Sequence, residues 1–183
     1  MRIIAGRFKG TALATPRSDA TRPTSDRLRE TIFNILAHGI GLDLDGVRVL
    51  DLFAGTGALG FEAISRGARH ATFVDEAVEP RGLIRRNMET MGLNGVAKIL
   101  RRDATKLGAA GTIEPFDLVF ADPPYDKGLG ELALASAKVG GWLAPGAICV
   151  LEERANAVIA LPDGFEILDQ RSAGDSQVLF LKA

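Results

Sequence analysis

The chain has 183 residues, of which 46% are hydrophobic and 25% charged, and its formal net charge is −1. That length suits one globular domain with a sizeable core, and the ordinary apolar content argues against disorder. The single cysteine, Cys149, excludes a disulfide framework within the chain. The apolar runs are far shorter than the roughly 18 residues of a membrane span, and the amino terminus lacks the long apolar segment of a secretory signal. We therefore expect a soluble cytoplasmic protein.

Charge is unevenly distributed along the chain. Residues 1–29 carry seven basic and two acidic side chains, whereas the remainder carries six more acidic than basic ones. A basic arm on an acidic body is typical of a protein with a polyanionic partner. A solvated segment whose arginines contact only water is an equally good interpretation of charge alone.

The predicted elements begin with a strand or hairpin and a loop rich in Pro and Thr, over residues 1–24. Apolar residues at helical spacing predict a helix from Ser25 to about Ala37, with Thr24 or Ser25 as its N-cap. After Gly46 strands and helices alternate. We predict strands at residues 47–53, 71–74, 98–100, 116–121, 147–151, 165–168 and 178–181, and helices at 58–66, about 80–92 and about 129–138. This alternation indicates an α/β fold, a doubly wound and mainly parallel sheet closed by an antiparallel pair.

A glycine-rich turn follows the first strand after Gly46. Gly55, Gly57 and Gly60 fit the spacing G-x-G-x-x-G between a strand and a helix, which permits a tight turn and close approach of a ligand to the backbone. The motif serves nicotinamide and flavin dinucleotides as well as S-adenosylmethionine, and a turn without a ligand is a further alternative. Asp51 at the strand exit favours S-adenosylmethionine, because a carboxylate there can pair with the cationic amino group but would repel a pyrophosphate.

Two further carboxylates follow the next two strands. Asp75 lies 15 residues after Gly60, where a carboxylate can accept hydrogen bonds from the ribose hydroxyls of an adenosine. This position fits either class of adenosine cofactor. Asp103 follows the third strand and is a candidate acceptor for the adenine amino group, with a loop or capping residue as the alternative.

The most specific signal is the run Asp122-Pro123-Pro124-Tyr125, directly after the fourth strand. Both prolines fix φ and lack an amide hydrogen, so they form a rigid corner. Such a corner can direct the Asp122 carboxylate and the Pro123 carbonyl at one point beside the Tyr125 ring. Two acceptors next to a stacking face suit a planar amine such as the exocyclic NH2 of a nucleobase, which they would orient for methylation. A tight turn without a catalytic role is the alternative.

Together these motifs resemble class I S-adenosylmethionine-dependent methyltransferases that act on an amino nitrogen. The run from Arg22 to Asn34 and the opening residues 2–10 are similar to the bacterial 16S ribosomal RNA guanine-N2 methyltransferases of the RsmD family. The resemblance covers essentially the whole chain. It implies a seven-stranded methyltransferase domain over residues 38–183 and a basic hairpin and helix extension over residues 1–37 that faces RNA. The implied acceptor is N2 of one guanine in 16S rRNA of the small ribosomal subunit or its assembly intermediate, with the enzyme acting as a monomer away from membranes.

The resemblance also assigns roles to individual residues. The cofactor would be bound by Asp51, Phe53, Ala54, Gly55, Gly57, Asp75, Asp103 and Ala104. The flipped guanine would be held by Asp122, Pro123, Pro124 and Tyr125, with Phe53 or the region of Leu129 as the second wall. RNA contacts are expected from Arg7, Lys9, Arg22, Thr24, Arg27 and Arg29. No metal site is expected, because His38 and His70 are isolated from other ligands.

Several functions stay open at this point. The corner after the fourth strand does not separate guanine in RNA from adenine in DNA or from a glutamine amide in a protein, although the basic segment favours RNA. The glycine motif alone would also admit a nicotinamide oxidoreductase. A non-catalytic RNA-binding assembly factor that keeps the fold is the remaining alternative.

Overall fold

The computed structural model describes residues 1–17 and 24–183. Its centre is one sheet in the order β3-β2-β1-β4-β5-β7-β6. The strands are β1 (Arg48–Leu52), β2 (His70–Val74), β3 (Ala97–Leu100), β4 (Phe116–Ala121), β5 (Leu143–Arg154), β6 (Glu166–Ala173) and β7 (Ser176–Lys182). Strands β1 to β5 are parallel, and β7 is antiparallel to both β5 and β6. The predicted fold class, with its closing antiparallel pair, is confirmed.

Helices connect the parallel strands and cover the sheet. They are α1 (Asp26–Asn34), which continues as a π-helix over Ile35–Ile40, α2 (Ala58–Ser65), α3 (Val78–Met91) and α4 (Leu129–Val139), with a 3-10 turn at Ala104–Lys106. Ser25 is the N-cap of α1, since its Oγ accepts from the amide of Leu28 at 3.1 Å. Helix α3 begins two residues before Pro80, which still lies in the first turn, where amides lack a partner within the helix. Within the described residues no helix is long and apolar enough to cross a bilayer.

The core has an apolar layer on each face of the sheet. Successive residues of β1 alternate between the two layers: Val49 packs with Phe61 and Phe73 on one side, while Leu50 packs with Phe116 and Trp142 on the other. All six side chains are almost fully buried. This alternation is the period of two that a strand imposes, and burial on both faces explains the continuous apolar runs of the parallel strands.

Two strands, β5 and β6, extend well past their predicted carboxyl ends. The prediction ended β5 at Leu151, but pairing with β7 carries it on through Glu152 to Arg154. The prediction also ended β6 at Leu168, whereas β6 runs to Ala173 along the same partner. These extensions contain polar residues, so apolar patterning does not show them. The backbone partner provided by β7 decides where the strands end.

The amino-terminal segment is docked on α2 by a buried carboxylate. Glu62 is fully buried and accepts from the amides of Ile4 at 2.9 Å and Ala5 at 3.1 Å. It also pairs with Arg29 at 3.3 Å and Arg66 at 2.8 Å. Ile3 and Leu13 belong to the same apolar cluster as α2 and β2. The division of the chain at residue 37 stays a prediction, and the first residues share the core of the rest.

Candidate active site

A cavity of about 700 Å³ lies at the carboxyl ends of the parallel strands. In a doubly wound sheet this edge is where ligands bind. The cavity brings together most of the residues predicted for the cofactor and the acceptor. It is lined by Phe53, Gly55, Asp75, Glu76, Pro80, Asp103, Thr105, Asp122, Pro123, Pro124, Tyr125, Leu129, Glu152 and Arg154.

The glycine turn between β1 and α2 is shaped as its sequence requires. Gly55 and Gly57 have φ values of +58° and +80°, in the left-handed region that favours glycine. A Cβ on Gly60 would lie 2.4 Å from a ring carbon of Phe73, so only glycine lets α2 approach β2 so closely. Phe53 also has a positive φ of 55°, a conformation rare for a large side chain. The turn therefore holds the backbone in a strained form beside the cavity.

Two predicted carboxylates support this turn. Asp51 is 2% exposed, and its Oδ2 accepts from the amide of Gly60 at 3.1 Å. Burial raises the pKa of Asp51 well above its usual value. Asp75 accepts from the amide of Gly55 at 3.1 Å and from that of Ala77 at 3.0 Å. Asp51 and Asp75 thus hold the turn through the backbone, and their predicted contacts with a cofactor stay predictions.

Asp103 caps the 3-10 turn that follows β3. Its Oδ1 accepts from the amide of Thr105 at 2.9 Å and from the Thr105 hydroxyl at 2.7 Å. These hydrogen bonds lower the pKa of Asp103. The capping role that was the alternative at this position is therefore present, and the carboxylate also lines the cavity. Ala104, the residue after it, is buried beneath the turn.

The corner after β4 is fixed by contacts from distant parts of the chain. The Thr24 hydroxyl donates to Oδ2 of Asp122 at 2.9 Å. Burial raises the pKa of Asp122 well above its usual value, the neighbouring Glu152 raises it further, and the Thr24 hydrogen bond lowers it. A smaller cavity of about 60 Å³ lies between Asp122, Asp51 and the glycine turn. The Asp122 carboxyl thus stands between the turn and the main cavity.

Tyr125 is held by its hydroxyl group. The hydroxyl donates to Oε1 of Glu152 at 2.9 Å and lies 2.7 Å from Oγ of Ser176, and the guanidinium of Arg154 lies 5.4 Å from the ring centroid. Burial raises the pKa of Tyr125 to about 12, so the side chain is neutral at physiological pH. The ring borders the cavity, in agreement with a stacking wall, although that role stays a prediction.

Glu152 is a site residue that the sequence analysis missed. It is 6% exposed and lines the cavity from near the carboxyl end of β5, two residues before Arg154. The available signal was an acid directly after the apolar run 147–151, the same pattern that identified Asp51, Asp75 and Asp122.

The residues predicted to contact RNA fall into separate groups. Arg7, Lys9 and Arg27 are exposed, whereas Arg22 lies outside the described residues. The predicted RNA contact of Arg29 is wrong, because its side chain is fully buried and pairs with Glu62 and Asp26. The structure gives Thr24 a different contact from the predicted one, since it is 8% exposed and its hydroxyl binds Asp122.

The chain matches the family described as "Conserved hypothetical protein 95" over residues 1–182. The chain belongs to this family. It is 39% identical to the "Ribosomal RNA small subunit methyltransferase D" of Escherichia coli, over 95% of this chain and 85% of the relative. Its identity to the protein of the same name from Haemophilus influenzae is 32%, over 95% and 89% of the two chains. The predicted family resemblance is confirmed.

A solved structure supports the same relationship. A putative methyltransferase from Escherichia coli superposes with a TM-score of 0.84 at 31% identity, and the match covers 100% of this chain and 97% of that one. The similarity therefore includes the amino-terminal segment as well as the seven-stranded sheet.

The cavity beside the glycine turn fits an adenosine-bearing cofactor. Among the described residues, a Cβ placed on Gly55 would have only the carbonyl oxygen of Phe53 near it, 4.0 Å away, so the turn leaves room for a ligand against its backbone. Asp75 and Asp103 border the same space, where ribose and adenine acceptors would be needed. S-adenosylmethionine would be held there by the residues predicted for it: Asp51, Phe53, Ala54, Gly55, Gly57, Asp75, Asp103 and Ala104.

Proposed function

We propose that the protein methylates the exocyclic N2 amine of a guanine in the 16S rRNA of the small ribosomal subunit, with S-adenosylmethionine as the methyl donor. The observation that carries the proposal is one cavity with two different walls. The glycine turn and Asp75 form one wall, and the corner from Asp122 to Tyr125 forms the other. A cofactor on the first wall and an amine on the second would face each other.

The residues at the corner would act by orientation. When bound, S-adenosylmethionine supplies a methyl group activated by its positive sulfur. The Asp122 carboxyl and the Pro123 carbonyl would accept hydrogen bonds from the amine and direct its lone pair towards that methyl group. Holding the reacting atoms in line lowers the barrier mainly through positioning and electrostatics, so no strong base is needed. Tyr125 would stack on the base and restrict its plane.

A guanine within structured RNA must leave its stack to reach this cavity. Extruding a base costs a few kcal/mol, which contacts with the flipped base and with the flanking backbone must offset. Arg7, Lys9 and Arg27 are exposed and available for phosphates. The names of the relatives support ribosomal RNA of the small subunit as the acceptor.

The direct test is transfer of labelled methyl groups from S-adenosylmethionine to three acceptors. These are small ribosomal subunits from a strain that lacks the native enzyme, naked 16S rRNA, and duplex DNA. Mass spectrometry of the digested product identifies the nucleoside, and an Asp122→Ala variant is the control. We expect N2-methylguanosine from the ribosomal acceptor with the unmodified protein alone.

Other outcomes of this experiment would contradict the proposal in distinguishable ways. If the product is N6-methyladenine in DNA, or if the label appears in protein, the cofactor assignment stands and the proposed acceptor is wrong. Binding of S-adenosylmethionine without transfer to any acceptor would favour an assembly factor. Growth rescue of the deletion strain by Asp122→Ala without rRNA modification would point to the same role.

A second pair of variants tests the basic segment. Each phosphate contact that is lost should reduce the slope of log affinity against log salt by about one. We expect this reduction for Arg27→Ala, because Arg27 is exposed in the first turn of α1, three residues after Thr24, whose hydroxyl binds Asp122. Arg69→Ala is the matched control, because Arg69 is exposed at the amino end of β2, the opposite edge of the sheet from the cavity. Equal slopes for the two variants would remove Arg27 from the interface.

A further inference from the structure

We propose that Asp122 and Glu152 form a carboxyl pair that shares one proton, and that Glu152 is the residue that positions Asp122 and Tyr125. The inference deepens the proposed function, on which its consequence for methyl transfer rests. The pair itself is a property of the free protein and can be tested without any acceptor.

The topology of the sheet places the two carboxyl groups side by side. Strands β4 and β5 are parallel neighbours, and Ala121 is paired in register with Leu151. Asp122 directly follows β4 and Glu152 is the next residue of β5, so the two residues lie at the same level on adjacent strands. Adjacent strands are about 4.8 Å apart. Both side chains line the same cavity.

The hydrogen bonds of Glu152 favour placing the negative charge of the pair on Glu152 and the proton on Asp122. Its Oε1 accepts from the hydroxyl of Tyr125 at 2.9 Å and from that of Ser176 at 3.1 Å. Its Oε2 is buried and has no hydrogen-bond partner among residues 1–17 and 24–183. Two hydroxyl donors suit a carboxylate, but a buried carboxylate oxygen without a donor is costly. A protonated Asp122 beside it would supply that donor.

The surroundings of Asp122 disfavour a second charge. Asp51 approaches from β1 and Glu152 from β5, and both carboxyl groups raise the pKa of Asp122 in addition to the larger effect of burial. Among the described residues, two neutral hydroxyl groups also face Asp122, those of Thr24 and Tyr125. Arg154 lines the same cavity with its guanidinium 5.4 Å from the ring centroid of Tyr125, and it is paired with Asp126 at 2.6 Å. Two adjacent carboxylates would repel each other, and one shared proton removes that repulsion.

The pair would organise the acceptor wall without contact between Glu152 and the base. Through Oε1, Glu152 fixes the hydroxyl of Tyr125 and therefore the orientation of its ring. Through Oε2 it would orient Asp122, which also accepts from the Thr24 hydroxyl. Loss of Glu152 would release both residues, and a misplacement of about 1 Å near the reacting atoms costs roughly a hundredfold in rate.

The experiment compares Glu152→Gln and Glu152→Ala with the unmodified protein. A glutamine amide can accept from Tyr125 and donate to an ionised Asp122, so the wall stays in place without a shared proton. The matched control is Glu153→Gln, the next residue of β5, which is also buried but accepts from the amides of Asp126 and Arg154. Methyl transfer is measured for each protein as a function of pH.

We expect activity of the unmodified protein to fall as pH rises through the elevated pKa of Asp122, because loss of the shared proton leaves two adjacent negative charges. Glu152→Gln should retain most of the activity and should not lose activity over this pH range. Glu152→Ala should transfer methyl groups roughly a hundredfold more slowly than the unmodified protein at every pH. Glu153→Gln should follow the unmodified protein. The proposal is overturned if Glu152→Gln has the unmodified pH profile, or if it is as inactive as Glu152→Ala throughout.

A titration of the free protein separates this inference from the proposed function. Carbon-13 shifts of the Asp122 carboxyl report its protonation without cofactor or RNA. We expect Asp122 to titrate well above the usual range of aspartate, and to return towards that range in Glu152→Gln. Ordinary titration of Asp122 in both proteins would overturn the pair. A raised pKa of Asp122 in a protein that transfers no methyl group would support the carboxyl pair and overturn the proposed function.

Discussion

The two halves of the cleft are built in different ways. In the cofactor half, carboxylates bind backbone amides nearby in the chain: Asp51 contacts Gly60, nine residues away, and Asp75 contacts Gly55, 20 residues away. In the acceptor half, side chains bind side chains, and Thr24 is 98 residues from its partner Asp122. The first half therefore depends on backbone shape, whereas the second depends on how distant elements are docked.

The largest expected effect concerns that docking. Glu62→Ala would leave the buried Arg29 guanidinium without its buried carboxylate partner and free the amides of Ile4 and Ala5. Breaking a buried ion pair in this way destabilises a protein by about 3–5 kcal/mol. Urea unfolding measures the change, with Glu89→Ala on exposed α3 as the control. Because Thr24 belongs to the docked segment, methyl transfer should fall more than binding of S-adenosylhomocysteine. A loss below about 1 kcal/mol would contradict this role of Glu62.

The backbone of the cofactor half is tested by one added methyl group. In Gly60→Ala the new Cβ would lie 2.4 Å from Phe73 and 3.2 Å from Oδ2 of Asp51. Overpacking of this kind costs about 1–3 kcal/mol, and S-adenosylhomocysteine should bind more weakly as the turn shifts. Gly82→Ala in α3 is the matched control, because none of the described residues outside its own helical turn and chain neighbours would lie within 4 Å of its Cβ. The free energy of unfolding of this control should increase by about 0.5–1 kcal/mol, because alanine favours a helix interior more than glycine does. If the two variants are equally stable, the added methyl group at residue 60 is accommodated without displacing Phe73.

A single hydrogen bond links the docked segment to the acceptor half. Thr24→Val keeps the shape of the side chain and removes the donor to Asp122. A hydrogen bond contributes about 1 kcal/mol, so we expect roughly a fivefold loss of methyl transfer and unchanged binding of S-adenosylhomocysteine. Thr90→Val, at an exposed position of α3, controls for the substitution itself. An equal effect on cofactor binding would mean that Thr24 supports both halves.

The pH dependence of stability tests the environment of Asp122. Its pKa is raised in the folded protein, so between the unfolded and folded pKa values the folded state binds more protons. Stability therefore decreases as pH rises through this interval. Asp122→Asn cannot ionise and should lack this contribution, so its stability relative to the unmodified protein should improve from acidic to neutral pH. Urea midpoints at several pH values measure the difference. A difference that is constant with pH would contradict the raised pKa.

The sequence predicted the cofactor half better than the acceptor half, and two residues show why. The glycine spacing and the strand exits are local patterns, so Gly55, Gly60 and Asp75 could be placed without tertiary information. Arg29 was assigned to RNA from its charge, but its burial depends on Glu62, 33 residues along the chain. Glu152 was missed because its role depends on tertiary contacts with Tyr125 and Ser176, which are 27 and 24 residues away in the chain. Charge and periodicity do not report which polar side chains meet inside the fold.

The most direct test of two separable halves is a crossed measurement on Asp75→Ala and Asp122→Ala. Calorimetry gives the affinity for S-adenosylhomocysteine, and the rate of methyl transfer is measured at saturating cofactor. We predict that Asp75→Ala weakens binding roughly tenfold to a hundredfold, as loss of a charged hydrogen-bond acceptor does. Asp122→Ala should bind like the unmodified protein and transfer methyl groups at least about a hundredfold more slowly. Equal losses of binding in both variants, or unchanged binding in Asp75→Ala, would contradict the account.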